Sequence, residues 1–403
     1  MNTPKGLRLH IGLFGRRNVG KSSILNRIVR QNVSIVSAFK GTTTDPVEKA
    51  MELLPLGPVL FIDTAGIDDE GTLGDLRTAR TEEVYDKCDM ALLVTDGEWG
   101  EFEKKIVDAL QKRAIPWIAV LNQADRRDFS SLREKLAAQK IDFVETSATT
   151  DAGIEALQQQ IIRTAPADFL DSHKIIGDLI PEGAHVLLVI PIDKEAPKGR
   201  LIMPQVQTIR DLLDAHATCT ICRENNVAET LNQLKNPPAL VVTDSQAFET
   251  VSRQVPDSIP LTGFSILFAR FKGDLTTMAA GAIALTHLKP GDKVLIAEAC
   301  THHPIQDDIG RTKIPNWIRH QICRDVEIDV VSGSTFPDDL TPYSVIIHCG
   351  ACMWTRRQVL SRIRQAAVQG VPLTNYGMAI AAMHGILNRA LHPFHLSSLC
   401  TRN

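Results

Sequence analysis

Short unbroken apolar runs, each ending in small or polar residues, recur along the chain. Leu9-His10-Ile11-Gly12-Leu13-Phe14, Val59-Leu60-Phe61-Ile62, Ile118-Ala119-Val120-Leu121 and Phe143-Val144-Glu145-Thr146 read as buried strands of the first part. Val186-Leu187-Leu188-Val189-Ile190 and Ala239-Leu240-Val241-Val242-Thr243 follow in the middle. Val294-Leu295-Ile296-Ala297 and Val345-Ile346-Ile347 complete the set. Stretches of helical spacing lie between them: Ser23 to Arg30, Thr78 to Asp86, Val206 to Ala215, Met278 to Leu285, and the run Val359, Leu360, Ile363, Ala367. Runs without alternation mark strands covered on both faces, so parallel α/β sheets are expected. A turn-rich join from Pro166 to Gly183 and a fresh start at Gly263-Phe264 divide the chain into residues 1–165, 166–262 and 263–403.

Four of the first strands end in nucleotide chemistry. Gly15-Arg16-Arg17-Asn18-Val19-Gly20-Lys21-Ser22 is a phosphate loop in its required context, strand before and helix after. Its glycines let backbone N–H groups face phosphates, aided by the helix N-terminus running on through Ser23. Lys21 is expected at the β- and γ-phosphates and the Ser22 hydroxyl on Mg²⁺. Asp63-Thr64-Ala65-Gly66 supplies a carboxylate for the Mg²⁺ shell and, at Gly66, an N–H that senses the γ-phosphate. In Asn122-Gln123-Ala124-Asp125 the Asp125 carboxylate matches the two N–H donors of guanine, which adenine lacks. Ser147-Ala148 offers backbone to the guanine carbonyl. The set resembles the translation-factor-like class of small GTPases. The expected fold is therefore α/β, an N-terminal P-loop small-GTPase domain followed by two smaller α/β domains. Gln123 departs from the usual Lys, whose methylenes stack on the base.

Gly41-Thr42-Thr43-Thr44-Asp45 resembles the switch segment of tRNA-modification and ribosome-assembly GTPases, which implies Thr43 as a second Mg²⁺ ligand. Asn18 resembles the asparagine with which potassium-dependent relatives hold K⁺, a charge that stabilises the transition state in place of an arginine finger. Ile67 follows the Asp-Thr-Ala-Gly segment and cannot orient water, so slow hydrolysis is expected, with Lys21, Thr43 and Gly66 as its residues.

Net charge near −3 leaves no basic footprint for nucleic acid or an anionic membrane. No apolar run approaches the ~20 residues of a membrane span, and Met1 to Gly6 lacks a signal-peptide core. A cytoplasmic location is expected. Eight cysteines are then read as buried thiols or metal ligands rather than a disulfide framework. Cys88, Cys323 and Cys400 stand alone, and Cys219-Thr220-Ile221-Cys222 follows a helix with no second ligand pair nearby, so both thiols are read as structural.

Cys300-Thr301-His302-His303 and His348-Cys349-Gly350-Ala351-Cys352 differ: each follows a predicted buried strand, where ligands of parallel sheets gather. Three thiolates suit Cys₃His zinc or a [4Fe–4S] cluster. A one-plus-two spacing from a full α/β core, with a helix N-terminus behind it, favours the cluster.

Cys-x-His followed later by His-Cys-x-x-Cys, behind a small-GTPase domain, resembles the HydF family, GTPase scaffolds that mature [FeFe]-hydrogenase. The resemblance runs from Asp63-Thr64-Ala65-Gly66-Ile67-Asp68-Asp69-Glu70-Gly71 to His392-Pro393-Phe394. It implies GTPase, dimerisation and cluster-binding domains, a homodimer, and a [4Fe–4S] cluster on Cys300, Cys349 and Cys352. It further implies a diiron cargo, with radical-SAM maturases and apo-hydrogenase as partners. His302 matches the Cys-x-His position as candidate fourth ligand, with His303, His348 or solvent left open. The competing expectation is a ribosome- or tRNA-linked GTPase with structural zinc.

Overall fold

The computed structural model describes residues 3–31, 35–39, 47–64, 74–170, 174–192, 201–299, 308–333 and 335–401. The chain divides into two units, Met1–His173 and Lys174–Asn403.

In the first unit, among the described residues, seven strands form one sheet: β1 (Leu9–Phe14), β2 (Ile35–Phe39), β3 (Val47–Leu53), β4 (Gly57–Asp63), β5 (Met90–Thr95), β6 (Trp117–Asn122) and β7 (Phe143–Thr146). They lie in the order β2-β3-β4-β1-β5-β6-β7. The run from β4 to β7 is parallel, and β2 and β3 are antiparallel additions. The predicted strands are all present, and β1 and β5 are buried at every position because helices cover both faces. The antiparallel β2–β3 pair was not anticipated: β3 mixes exposed, half-buried and buried residues, a weaker pattern than an unbroken run.

Among its described residues the second unit holds two smaller parallel sheets. One comprises β8 (His185–Val189), β9 (Thr218–Cys222), β10 (Leu240–Thr243) and β11 (Leu261–Gly263), in the order β11-β10-β8-β9. The other comprises β12 (Lys293–Glu298), β13 (Glu327–Ser332), β14 (Val345–His348) and β15 (Leu373–Asn375), in the order β13-β12-β14-β15. Alternate residues of its central strands feed two cores. Leu295, Ala297 and Ile346 face one side; Val294, Ile296, Val345 and Ile347 face the other.

The segment from Gly263, expected to open a new unit, instead links the two sheets. Gly263 closes β11, paired with Thr243, and the helix Phe264–Lys272 follows at once. Phe264, Leu267 and Phe268 complete the core of the β8–β11 sheet, while Ile266 and Ala269 enter the core beneath β12 and β14. One amphipathic helix with apolar residues on two sides therefore ties the sheets together. Next along, the helix Leu275–Leu285 meets the β15 backbone at Gly281, where a Cβ would lie 2.2 Å from the Leu373 carbonyl oxygen. Only glycine permits that approach. None of the described helices is long and apolar enough to cross a membrane.

His10, on β1, is 2% exposed and its Nδ1 lies 2.8 Å from the Arg8 carbonyl. Burial pushes its pKa down to about 4 from 6.5. Between those values the unfolded chain binds a proton that the native imidazole refuses, so this contribution to stability is full above pH 6.5 and lost as pH falls toward 4. The melting temperature should drop across that window, and His10→Gln should flatten the drop; identical slopes would contradict the assignment.

Candidate functional site

The nucleotide residues are joined through the strand ends of the first unit. β1 ends at Phe14 and the next helix, Lys21–Gln31, begins at Lys21, leaving Gly15 to Gly20 as the phosphate loop. Lys21, 5% exposed, donates to the carbonyls of Gly15 and Arg16, the latter at 2.8 Å. Ser22 Oγ donates to Asp63 Oδ2 at 2.5 Å, so two groups expected around Mg²⁺ already meet.

Asn122 holds the set together. Its Nδ2 donates to the Val19 carbonyl at 2.8 Å, and its Oδ1 accepts from Thr146 Oγ1 and the Ala148 amide, both at 3.4 Å. It sits so close to the loop that a Cβ on Gly20, at φ +94°, would lie 2.2 Å from Nδ2. Ser147 Oγ donates to Asp125 Oδ1 at 2.6 Å, which holds that carboxyl below the usual carboxylate range and keeps it an ionised acceptor. Thus Gly15, Val19, Gly20, Lys21, Ser22, Asp63, Asn122, Asp125, Ser147 and Ala148 form one connected constellation. Asn18 lies on the loop, exposed and at φ +65°, and Ser23 is exposed on the first helical turn. Thr43, Gly66 and Ile67 lie outside the described residues.

An anchor the sequence reading missed is Arg16. Its guanidinium donates to both oxygens of Glu103 (2.8 and 3.2 Å), pairs with Glu98 at 2.9 Å and covers the Phe102 ring. Burial alone would raise the Glu103 carboxyl; hydrogen bonds from Arg16 and the Gly100 amide outweigh it and hold the carboxyl low. Charge-assisted, bidentate pairing makes this a firm tie between the phosphate loop and the Glu101–Lys112 helix.

The second constellation stands at the ends of β12 and β14. These strands run parallel with Ala297 beside His348, so both end at the same level. The Cys349 amide donates to the Ala297 carbonyl at 2.9 Å, and the Ala299 amide donates to Cys349 Sγ at 3.0 Å. Trp354 Nε1 closes the ring by donating to the Ala299 carbonyl at 3.1 Å. The residue directly before Cys300 is thereby bound to the Cys349 thiol. Cys300, His302 and His303 themselves lie outside the described residues, and no three metal-ligating side chains gather among those described.

Between Cys349 and Cys352 the backbone turns at Ala351, whose φ of +46° costs a non-glycine residue about 1–2 kcal/mol. Lys272 opposes that cost from below, donating to the carbonyls of Cys352 and Trp354 at 2.8 Å each and of Ala351 at 3.4 Å. His348 is buried beside this loop. Arg362 donates to its Nε2 at 2.9 Å, and because a guanidinium only donates, Nδ1 carries the proton and donates to the Cys349 carbonyl at 2.7 Å. Burial, then the Arg362 charge, push His348 down to about 4. Both ring nitrogens are engaged, which removes His348 from the fourth-ligand candidates. Arg362 is itself stacked on Trp354 and Phe336 and donates to the Gly333 carbonyl. It escaped the sequence reading, yet its signal was present: a charge three residues after Val359 on an otherwise apolar stripe.

Cys219 and Cys222 do not converge. Three positions apart on β9, they enter cores on opposite faces of the sheet, and burial raises both thiols. Cys88 is fully buried, and Cys323 and Cys400 pack beside cores.

Fold and site define a P-loop GTPase carrying two further α/β regions. Family models match in the same order: a 50S ribosome-binding GTPase over residues 10–123, a hydrogen maturase F dimerization domain over 175–273 and a hydrogen maturase F tetramerization domain over 276–393. The chain belongs to the hydrogen maturase F family. Relatives that match part of the chain include GTPase Der of Wolinella succinogenes, 34% identical over 168 residues, covering 38% of this chain and 35% of that protein. GTPase Der of Campylobacter hominis is 36% identical over 135 residues, covering 32% and 29%. The chain thus spans about a third of these curated relatives' length. Among solved structures, the G domain of the T. maritima FeoB iron transporter matches with a TM-score of 0.32 and 19% identity, covering 39% of this chain and 98% of that one. Aquifex aeolicus Era matches with a TM-score of 0.33 and 17% identity, covering 61% and 97%.

Removing the Asn122 side chain leaves the Val19 carbonyl and Ala148 amide without that partner. Asn122→Ala should weaken GTP binding by about 1–3 kcal/mol, roughly fivefold to a hundredfold or more, as read by titration calorimetry; unchanged affinity would show that the cross-link does not shape the loop.

Proposed function

We propose that this chain is a GTP-binding scaffold that holds a [4Fe–4S] cluster and uses its open iron position to receive the diiron precursor of the [FeFe]-hydrogenase active site. The observation that carries the reading is the bond between the Ala299 amide and Cys349 Sγ. It draws the residue before Cys300 onto the two-cysteine loop, in a chain of the hydrogen maturase F family. Cys300, Cys349 and Cys352 are the cluster ligands in this reading, with His302, His303 or solvent at the fourth iron. The residues fit such a group: an amide already donates to a cysteine sulfur, the hydrogen bond that stabilises thiolate ligands. When bound, the cluster supplies one iron with an exchangeable ligand position.

In the same reading residues 1–165 bind and slowly hydrolyse GTP. Lys21 meets the β- and γ-phosphates, Gly66 senses the γ-phosphate, Ser22 and Thr43 ligate Mg²⁺, and Asn18 holds K⁺. Asp125 selects guanine. Residues 166–262 carry the dimer contact and 263–403 the cluster. A second copy suits the middle sheet, whose outer strand β9 has an edge with no strand beside it among the described residues and exposes Ile221 by half. Radical-SAM maturases would deliver the cargo and apo-hydrogenase would take it, in the cytoplasm.

Anaerobic reconstitution should give a brown protein with cluster iron and sulfide, and Cys349→Ala or Cys300→Ala should lose both the chromophore and activation of apo-hydrogenase. A colourless chain binding one zinc would overturn the cluster; full activation by Cys300→Ala would overturn the scaffold role.

A further inference from the structure

The two ends of the cysteine loop are crossed with the last turn of the helix Phe264–Lys272. Lys272 is 3% exposed, and its ammonium reaches the carbonyls of Ala351, Cys352 and Trp354. In return Arg356, just past the loop, donates from one guanidinium nitrogen to the carbonyls of Phe271 (3.4 Å) and Gly273 (3.0 Å), which the helix end leaves open. The two cations thus exchange places, each neutralising the carbonyl cluster of the other's segment. A buried ammonium is costly unless its donors are all used, and three carbonyls match three N–H groups.

Three consequences follow. The carbonyls of Ala351 and Cys352 are held toward Lys272, so the loop keeps its left-handed turn before anything binds. A positive charge is fixed beside the loop that presents Cys349 and Cys352. And the helix carrying Lys272 has its other side in the β8–β11 core, within the matched dimerization region.

We infer that Lys272 is a positioning residue for the cysteine site: it pre-shapes the Cys349–Cys352 loop and stabilises the added electron of a cluster held there, from a helix rooted in the dimerization region. The inference rests on the cluster reading above. Removing the charge while keeping the apolar stem should disfavour the reduced, more negative cluster. It should also release the loop.

The test uses the full-length chain. In apoprotein, Lys272→Met should speed amide hydrogen exchange of residues 349–356 while β12 and β14 stay protected. After reconstitution, its cluster should show a midpoint potential more negative than that of the unsubstituted chain, in a titration followed by electron paramagnetic resonance. It should lose iron to a chelator about tenfold faster or more, the usual scale for partners behind a metal ligand. Lys272→Arg, which keeps the charge, should restore the potential. Equal exchange, potential and chelator rate in Lys272→Met would overturn the inference and leave the cluster reading standing. An unsubstituted chain that takes up no cluster would instead overturn the reading itself. Should Lys272→Met not fold, Arg356→Met reads the same clamp from the loop side: faster exchange of 349–356 supports it, and unchanged exchange overturns it.

Discussion

Parallel pairing of β12 with β14 is the constraint on which the second site depends. A parallel pair requires a long crossover, so segments far apart in sequence finish side by side at the carboxyl end of the sheet. Their last hydrogen bonds, Cys349 to Ala297 and Ala299 to the Cys349 sulfur, are a strand ladder continued by one side chain. Without that register, Ala299 and Cys349 would not meet. The first unit obeys the same rule. Lys21, Asp63, Asn122 and Ser147 stand at or just beyond the ends of β1, β4, β6 and β7, and Asn122 ties three of the four segments together.

Each site also depends on a buried cation turned inward. Lys21 is held by carbonyls of its own loop, and Lys272 by carbonyls of the cysteine loop. The two differ in what a ligand would do to them. In the proposed function, phosphate oxygens would compete directly for the Lys21 ammonium, exchanging one set of acceptors for another. Lys272 is held by backbone carbonyls of its loop, so a ligand at the cysteine sulfurs would not compete for its ammonium.

Much of this was legible in the sequence because parallel strands buried on both faces read as unbroken apolar runs. β1, β4, β6, β8, β10, β12 and β14 announced themselves in that way, while β7, an edge strand half-buried at alternate positions, was legible from the Ser147-Ala148 that follows it. What stayed hidden has several causes, and β5, a central strand buried at every position, was passed over although its run is as unbroken as the others. β3 and β13 lie toward or at sheet edges, where partial exposure breaks the pattern. The helix Phe264–Lys272 serves two cores, so its apolar residues covered two sides and resembled a fresh start. Lys272, Arg356 and Arg16 act through tertiary contacts that spacing alone does not encode, whereas Arg362 was marked by its place on an apolar stripe. The positions of Thr43, Gly66, Cys300 and His302 rest on motif and family alone, since they fall outside the described residues.

The Arg362–His348 contact has a bearing on metal discrimination. In the proposed function one chain must keep Mg²⁺ and iron apart. Ser22 and Asp63 offer oxygen, the donor that hard divalent ions prefer. The cysteine loop offers sulfur, and by capping the lone pair of His348 the guanidinium withdraws the imidazole that precedes the loop, the kind of donor that lets zinc or copper settle into mixed sites. A residue that touches no metal thereby makes the loop chemically softer than its sequence, His-Cys-x-x-Cys, would lead one to expect.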